Sequence, residues 1–505
     1  MKKIFLFSLI FTSSVFTKIT TLHAQDDVDA LRYTQTQTGG GTARAQALGG
    51  TLGALGADFS SASGNPAGLA QFRQGEFSLS PGLFLPQTNS TVVGDSKLNR
   101  DSKVNFNIGH LGLVVPRVND SKRWKVVTFA IGYNRLSNFN RNTFYNTQRR
   151  DGGIGEHFAA LSQGTNVAAL DTNDIRRMAF DTYIIDTIGG STNYRGPVDS
   201  SNTILERKQN IEARGGHDEM TISLAGNYDN RLSLGATIGI PFISYIENKT
   251  YEERDLNGTD TNFRNLLYKQ NLDQTGTGVN LKLGAILRAT QWLRVGAAFH
   301  TPTIYGITDI YGSELSALTV QSQVQNTVTS SGKYKYSLIT PSRAIGSLSL
   351  VSAQGRMGDK TVSGFLNGEV EYVDYSNMRF IFDRTSGASD KDLEVALNNA
   401  ISTKYQSALN YRIGAELAYD IFRVRAGYAL LGSPFKANIS GINRDIQQIS
   451  FGAGIRERKI AFDIAYVQST GRDEYTPYLS SLPSAIDVRR SLNDGRFVAT
   501  LSFKF

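Results

Sequence analysis

The last nine residues of the chain, FVATLSFKF, alternate between two kinds of side chain. One set is wholly apolar and consists of Phe497, Ala499, Leu501, Phe503 and Phe505. The other set is mostly polar and consists of Val498, Thr500, Ser502 and Lys504. Because successive side chains of a β-strand point to opposite faces, the pattern predicts a strand with one apolar and one polar face.

The same alternation recurs through most of the chain, as in LNYRIGAELAY (409–419) and FRVRAGYAL (422–430). It predicts an all-β chain of fourteen strands, an even number that is typical of bacterial transmembrane β-barrels. The predicted strands lie near 75–86, 103–115, 123–135, 217–228, 231–246, 270–288, 292–312, 331–352, 359–376, 405–419, 422–432, 444–456, 459–469 and 495–505.

The connections between these predicted strands alternate between short and long. The short ones include 229–230, 289–291, 420–421 and 457–458. The largest long connection is predicted to cover about 136–216. Outer-membrane barrels have short periplasmic turns and long extracellular loops, so we expect an antiparallel barrel over 75–505.

Aromatic residues fall into two groups along the predicted strands. One group lies near the short turns: Trp124, Tyr228, Trp292, Tyr419, Phe422 and Phe505. The other lies near the long loops: Tyr133, Tyr245, Tyr305, Tyr372, Tyr428 and Tyr466. Because aromatic side chains favour membrane interfaces, the two groups predict belts at both edges of a lipid bilayer. The expected location is therefore the outer membrane of a Gram-negative cell.

The N-terminus has the features of a signal peptide over residues 1–24. Lys2 and Lys3 precede the apolar run IFLFSLIF (4–11), and small residues precede a cleavage site after Ala24. The formal net charge is only +8 over 505 residues, so we expect no nucleic-acid partner.

Sequence motifs for catalysis or metal binding are not found. The histidines outside the signal are His110, His157, His217 and His300, and their spacing fits no metal site. The G-x-S-x-G, H-E-x-x-H and phosphate-loop motifs are also missing. We therefore expect neither a metal, nor a cofactor, nor an enzymatic activity.

Residues 25–74, between the signal and the first strand, are rich in glycine and alanine and contain the turn Asn65-Pro66-Ala67. This segment followed by a fourteen-stranded barrel resembles the FadL family of outer-membrane transporters for long-chain fatty acids and other hydrophobic compounds. Segments 276–306, 340–350 and 370–378 are similar to further parts of that family.

The resemblance implies that residues 25–74 form a hatch, a small plug in the lumen, which the Asn-Pro-Ala turn anchors. It also implies transport of long-chain fatty acids or similar hydrophobic ligands through capture at outer loops, an apolar lumen pocket and lateral release at a kink in the third strand. We expect this kink at Gly132, beside Tyr133 and Asn134. A static plug and plain tight packing of Gly132 are the alternatives.

Two loop segments with amphipathic patterns are candidates for hydrophobic capture: Leu393, Leu397 and Ile401, and Met178 and Phe180. The alternative is that these helices pack on each other to close the loop side. Alternation places Arg412 and Arg425 in the lumen, where a guanidinium suits a ligand carboxylate. An internal ion-pair network that tethers the hatch is the alternative.

Phe505, at the end of the last strand, is expected to be the membrane assembly signal for the barrel assembly machinery. Some barrels that resemble this family serve a protein-secretion machine and do not take up lipids. The alternative function is therefore a barrel subunit of a protein-secretion or structural complex without lipid transport.

Overall fold

The computed structural model describes residues 26–35, 40–119, 121–322, 325–357, 360–382, 388–436, 442–478, 482 and 485–505. The predicted signal peptide, 1–24, lies outside the described residues. Within these ranges, no helix combines the length and the apolar character needed to cross a membrane.

Fourteen strands form one closed antiparallel barrel. They are β1 (Glu76–Val92), β2 (Asn105–Val118), β3 (Trp124–Asn138 and Arg141–Arg149), β4 (Leu205–Tyr228), β5 (Leu232–Asp255), β6 (Phe263–Arg288), β7 (Leu293–His300 and Ile304–Thr319), β8 (Asn326–Ile339 and Arg343–Val351), β9 (Lys360–Asp374 and Arg379–Phe382), β10 (Ser407–Tyr419), β11 (Phe422–Leu431), β12 (Ile446–Arg456), β13 (Ile460–Tyr475) and β14 (Val488–Lys504).

Each strand pairs with the next, and β1 pairs with β14 from Glu76↔Lys504 to Val92↔Val488, which closes the barrel. All of the strands predicted from alternation are present. The long connection is shorter than predicted, because β3 continues to Arg149 and β4 already begins at Leu205. These strand extensions are mostly polar, so the alternation of apolar and polar residues did not predict them. The connection itself covers 150–204.

Five helices and several short elements complete the described structure. The helices are α1 (Asp27–Thr34), α2 (Ala43–Ala47), α3 (Gly153–Ser162), α4 (Ile175–Asp181) and α5 (Ala388–Lys404). The 3-10 turns are Phe59–Ala62, Pro66–Gln71, Val167–Ala169 and Tyr375–Asn377. The short strands are Asn99–Ser102, Asp186–Thr187, Tyr194–Arg195 and Gly355–Met357.

The outer face of the barrel is an apolar band. Phe497, Leu501 and Phe503 on β14 are exposed, whereas Thr500 and Ser502 between them are buried on the inner face. The same division holds on β10, where Ile413 and Leu417 are exposed. A closed barrel with an apolar exterior matches the outer-membrane class, since strand pairing around the barrel satisfies the backbone and apolar side chains face the lipid.

The predicted aromatic belts are confirmed at the short turns, where Trp124 and Trp292 are exposed. At the other end the prediction is wrong for Tyr245 and Tyr305, which are buried and face inward. For Tyr305 the reason is a break at 301–303, which contains Pro302. The outward-facing residue is Phe299 before the break and Ile304 after it, so the alternation changes parity.

The N-terminal segment, defined here as 26–35 with 40–74, follows the barrel from end to end. Helix α1 packs against α5, in a long connection. At the opposite end Arg73 donates a hydrogen bond of 2.7 Å to Asn230, in a short turn. The segment therefore passes the whole height of the wall before it enters β1.

Along this path the segment bonds to inward-facing side chains from different sides of the barrel. The Ala43 amide donates to Thr500 Oγ1 on β14 at 2.6 Å. The Gly53 amide donates to Glu369 Oε2 on β9 at 3.0 Å, and Ser63 Oγ donates to Glu219 Oε2 on β4 at 2.8 Å.

Candidate functional site

The Asn65-Pro66-Ala67 turn is fixed to the wall by one amide group. Asn65 Nδ2 lies 2.6 Å from the Gly53 carbonyl oxygen and 3.2 and 3.3 Å from those of Ala285 and Ala297, on β6 and β7. Its Oδ1 accepts from the Ala67 amide at 3.2 Å, and Pro66 occupies the first position of the 3-10 turn that follows. Because proline lacks an N–H and has a fixed φ, it starts this turn without an unpaired donor.

Two glycines of the wall make room for this turn. A Cβ at Gly284 would lie 1.9 Å from Asn65 Oδ1, and a Cβ at Gly235 would lie 2.4 Å from the Pro66 carbonyl carbon. Both distances are shorter than real Cβ contacts, so a side chain at either glycine would force the turn or the strand to shift. The motif in the N-terminal segment and the glycines in the wall are thus two halves of one contact.

Gly132 has a similar packing role and is not at a kink. It pairs regularly with Gly112 on β2 and with Thr221 on β4. A Cβ there would lie 2.4 Å from Phe59 Cζ of the N-terminal segment. The structure thus agrees with the tight-packing alternative. The two register irregularities of β3 against β4 lie elsewhere, between Trp124 and Val126 and, toward the long connections, between Arg135 and Ser137.

The ladder between β2 and β3 is interrupted beside the irregularity between Arg135 and Ser137. Pairing between β2 and β3 ends at His110↔Asn134, although β2 continues to Asn105 and there still pairs with β1. We call the unpaired stretch, 105–109 of β2 against 135–138 of β3, the wall gap. Its far end is closed by a hydrogen bond of 3.0 Å from Asn138 Nδ2 to Asn105 Oδ1. The predicted Tyr133 and Asn134 therefore lie at the near edge of the gap.

The N-terminal segment lies at the edge of the wall gap. The Gly41 amide donates to the Gly109 carbonyl oxygen of β2 at 3.3 Å, a carbonyl beyond the end of the β2–β3 ladder. A Cβ at Gly40 would lie 1.3 Å from the Arg135 carbonyl oxygen of β3. Two consecutive glycines therefore contact both edges of the gap.

A cavity of about 190 Å³ lies between the N-terminal segment and the wall. Asn134, Arg135 and Leu136 line it, so the cavity borders the wall gap. Leu52 and Ile345 contribute apolar surface. The charged lining residues are Arg135, Glu219, Lys282, Arg343, Glu369, Glu371 and Arg412. The lining is thus mixed, which corrects the apolar pocket that the family resemblance implied.

Arg412 and Arg425 point into the lumen as predicted, but carboxylates already bind them. Arg412 Nη1 lies 3.1 Å from Glu369 Oε1 and 3.1 Å from Glu371 Oε2. Arg425 pairs with Glu416 at 2.6 Å and with Asp463 at 2.5 Å.

The same carboxylates also hold the N-terminal segment. Arg44 pairs with Glu416 at 3.4 Å, and the Gly53 amide bonds to Glu369. This is the ion-pair network that was the alternative to a site for a ligand carboxylate.

The predicted capture residues are packed inside two separate clusters, so the two helices do not pack on each other. Met178 is fully buried in the loop cluster, defined by Ile154, Phe158, Met178, Tyr251 and Phe263, and Phe180 packs against it. Leu397 and Ile401 are buried in the helix cluster, defined by Leu31, Tyr33, Phe380, Leu397, Ile401 and Tyr405, and Leu393 packs against it. An apolar helical face does not reveal whether solvent or protein covers it.

Helix α1 covers the cavity at the end of the long connections. Tyr33 lines the cavity and donates to Gln274 Oε1 at 2.5 Å. Asp27 accepts from Lys404 Nζ at 2.6 Å and from the Tyr405 hydroxyl at 2.8 Å. Burial acts to raise the pKa of Asp27, but hydrogen bonds with Asp26 and Lys404 and the Lys404 charge outweigh it and hold this pKa below its usual value.

Several cavity residues were not identified from the sequence. His217 Nε2 lies 2.8 Å from the Tyr305 hydroxyl, and His300 Nε2 donates to the Gly64 carbonyl oxygen at 2.6 Å. Lys282 pairs with Glu219 inside the wall. The only indication in the sequence was that the alternation pattern places an isolated histidine or lysine on the inner face of its strand. This pattern does not show which strands meet across the lumen. Phe505 is exposed, and its role in assembly stays a prediction.

No protein-family model matches the sequence, and no curated protein matches it. Several solved structures, in contrast, are similar to this chain. A FadL homologue of Pseudomonas aeruginosa superposes with a TM-score of 0.53 at 14% identity, covering 94% of this chain and 100% of that one. The fold is that of the FadL-type barrels. The predicted resemblance is therefore confirmed for the fold.

Two further structures with this FadL-type fold are toluene transporters. TodX of Pseudomonas putida has a TM-score of 0.51 at 12% identity, and TbuX of Ralstonia pickettii one of 0.50 at 14%. Each alignment covers 93% of this chain and 99% of the other. None of the three proteins is described as an enzyme.

Proposed function

We propose that this barrel carries small hydrophobic or amphipathic compounds across the outer membrane. A compound enters at the long connections, occupies the central cavity and leaves sideways into the bilayer through the wall gap. The observation that carries the proposal is the shared lining. Asn134, Arg135 and Leu136 border both the cavity and the gap, so the two spaces are neighbours.

The similar structures support this class of cargo, since two of them are toluene transporters. Long-chain fatty acids, the cargo that the family resemblance implies, are the finer proposal. Passage of a long chain requires more space than the present 190 Å³, so the N-terminal segment must shift during transport. This favours a hatch that rearranges over a static plug.

The outer entrance is proposed to open at α1. This helix covers the cavity, and it is held there by the Asp27–Lys404 pair and by apolar contacts with α5. Met178, Leu397 and Ile401 are core residues of the loop and helix clusters, so first contact with a ligand involves other loop residues.

The lateral exit can be tested by closing the wall gap. If the β2–β3 ladder continued in register, Ile108 would face Leu136. The chain has no cysteine, so Ile108→Cys with Leu136→Cys can be bridged specifically by a short bifunctional maleimide. We expect the bridged protein to lower uptake of labelled oleate and toluene to the level of cells that lack the protein.

The matched control is Leu113→Cys with Ile131→Cys, which bridges two residues that already pair. This bridge should leave uptake unchanged. Full uptake with the gap bridged would refute the lateral route. If no compound depends on the protein for uptake while export of other proteins does, the alternative of a secretion or structural subunit holds instead.

A further inference from the structure

We propose that the outer face of the barrel carries a site for one anionic phospholipid, on strands β3, β4 and β5 beside the short turns. Part of an acyl chain lies in an apolar groove of the wall, and basic side chains of two turns bind the headgroup phosphate. The site is separate from the proposed transport route, because it lies on the lipid-facing surface and not in the lumen.

The groove has a volume of about 460 Å³. Its sides are large apolar residues that are exposed on the outer face: Trp124, Val127, Leu224 and Leu234. Its floor consists of small residues: Ala225, Gly226, Gly235 and Ala236. An apolar groove of this kind suits a hydrocarbon chain, which buries its surface against the large side chains.

The floor of the groove is small for two structural reasons. On the inner side, Gly235 makes room for the N-terminal segment, since a Cβ there would lie 2.4 Å from the Pro66 carbonyl carbon. On the outer side, Gly226 makes room for the Trp124 ring, since a Cβ there would lie 2.7 Å from Trp124 Cζ3. The contacts that fix the segment and the tryptophan thus leave a depression in the lipid-facing surface.

The end of the groove nearest the turns is basic. Residues 117–125 and 228–231, which include the β2–β3 and β4–β5 turns, hold five basic and two acidic residues. Four of the basic residues are exposed: Arg117, Lys122, Arg123 and Arg231. Within the part of the chain that the structure describes, none of these four forms an ion pair. Their charges are therefore available to an anion from outside the protein.

Contacts connect these cations with the groove. Arg123 Nη1 donates to the Tyr228 hydroxyl at 3.0 Å, and the Tyr228 ring packs edge-on against Trp124 with 5.5 Å between the ring centroids. On β2 the outward-facing residues change from apolar Val115 to basic Arg117 within two positions. Because tryptophan and tyrosine favour the membrane interface, this level is the boundary between acyl chains and headgroups. Arg123 therefore lies where a phosphate is found.

The charge favours an anionic lipid over a zwitterionic one. Each Lys or Arg near an anionic lipid surface strengthens binding about five-fold, and the arginine fork can bind two phosphate oxygens. A zwitterionic headgroup brings its own cation, which offsets this attraction. Because the short turns of such barrels are periplasmic, the lipid comes from the inner leaflet of the outer membrane.

The test uses tryptophan as a local reporter, because the chain contains only Trp124 and Trp292. Trp292→Phe leaves Trp124, in the groove, as the single fluorophore. The mature barrel is reconstituted in mixtures of phosphatidylglycerol and phosphatidylcholine with matched acyl chains, one lipid being brominated so that it quenches a tryptophan in contact. We expect phosphatidylglycerol to occupy the site at least about five-fold more strongly than phosphatidylcholine. Equal quenching by the two lipids would overturn the inference.

The headgroup site is tested with Lys122→Met and Arg123→Met combined. Both side chains are exposed, so the fold should be unaffected, and the preference for phosphatidylglycerol at Trp124 should fall about five-fold or more. The matched control combines Arg458→Met and Lys459→Met, two exposed cations of the β12–β13 turn, and should keep the parent preference. An unchanged preference in the first variant would refute the headgroup site.

The groove is tested with Ala236→Phe, which fills it and should abolish the preference at Trp124. The matched control is Gly368→Phe in another outer groove, of about 520 Å³, where the space around the Cβ position is empty to 4 Å. The control should keep the preference. If Ala236→Phe does not give a folded barrel, judged by heat-modifiable migration in gels, Ala236→Leu replaces it. A full preference in the folded variant would mean that the turns attract anionic lipids without the groove, and the inference would fail.

Discussion

The two parts of the N-terminal segment are attached to the barrel in different ways. Residues 40–74 pack closely on the backbone of the wall at glycines such as Gly235 and Gly284, and they also bond to inward-facing side chains such as Glu369. Helix α1 is held through side chains: by apolar contacts with α5, by the pair of Asp27 with Lys404 and by the hydrogen bond from Tyr33 to Gln274 on β6. Close backbone contacts have one geometry, whereas side-chain contacts at a surface can re-form. The comparison indicates that α1 moves before 40–74.

The largest effect is expected where a close contact at a glycine of the wall is obstructed. Gly284→Ala places a methyl group on Asn65 Oδ1, and overpacking of this kind should lower the free energy of unfolding by about 1–3 kcal/mol. Urea unfolding of the purified barrel measures it.

Gly346→Ala is the matched control for this experiment. Gly346 lies on β8, and the space around its Cβ position is empty to 4 Å. The control should change the free energy of unfolding by no more than about 0.5 kcal/mol. Equal effects of the two variants would show that Gly284 is not a contact point for the turn.

A smaller effect is expected at α1. Lys404→Met removes the cation that neutralises Asp27, while Tyr405 still donates to that carboxylate. Because Lys404 is partly exposed, the loss should be about 1 kcal/mol, which raises the fraction of detached α1 about five-fold. Trypsin cleavage after Arg32, followed by mass spectrometry, measures that fraction.

Lys360→Met is the control, since Lys360 forms an exposed pair with Asp420 at the opposite end of the barrel. Cleavage after Arg32 should keep its parent rate in this variant. If Lys404→Met also kept that rate, α1 would be as firmly attached as 40–74, and the comparison would fail. Global stability of the barrel should not change in either variant.

The sequence predicted more of the fold than of the site. Alternation with period two identified every strand and placed Arg412 and Arg425 inside, because each prediction needs only neighbours along the chain. The cavity depends on strands that meet across the lumen, such as those carrying His217 and Tyr305. Parity also failed beyond Pro302, since a break of unknown length can turn the following residues to the other face. The wall gap is a stretch in which β2 and β3 do not pair, and no pattern along the sequence indicates where such a stretch lies.

The smallest effect is expected from pH, and it again separates the two parts of the segment. The pKa of Asp27 is lowered when α1 is docked, so its carboxylate contributes to docking above the ordinary aspartate value of 3.8 and loses this contribution as pH falls below it. The neighbouring Asp26 acts in the opposite sense, because burial raises its pKa to about 7 and its ionisation at higher pH weakens docking. A spin label on Val28→Cys, at an exposed position of α1, should therefore become more mobile between about pH 4 and pH 3. Asp27→Asn should remove that pH dependence. A label that stays immobile down to pH 3 in the parent protein would mean that apolar contacts with α5, and not the carboxylate, hold α1 in place.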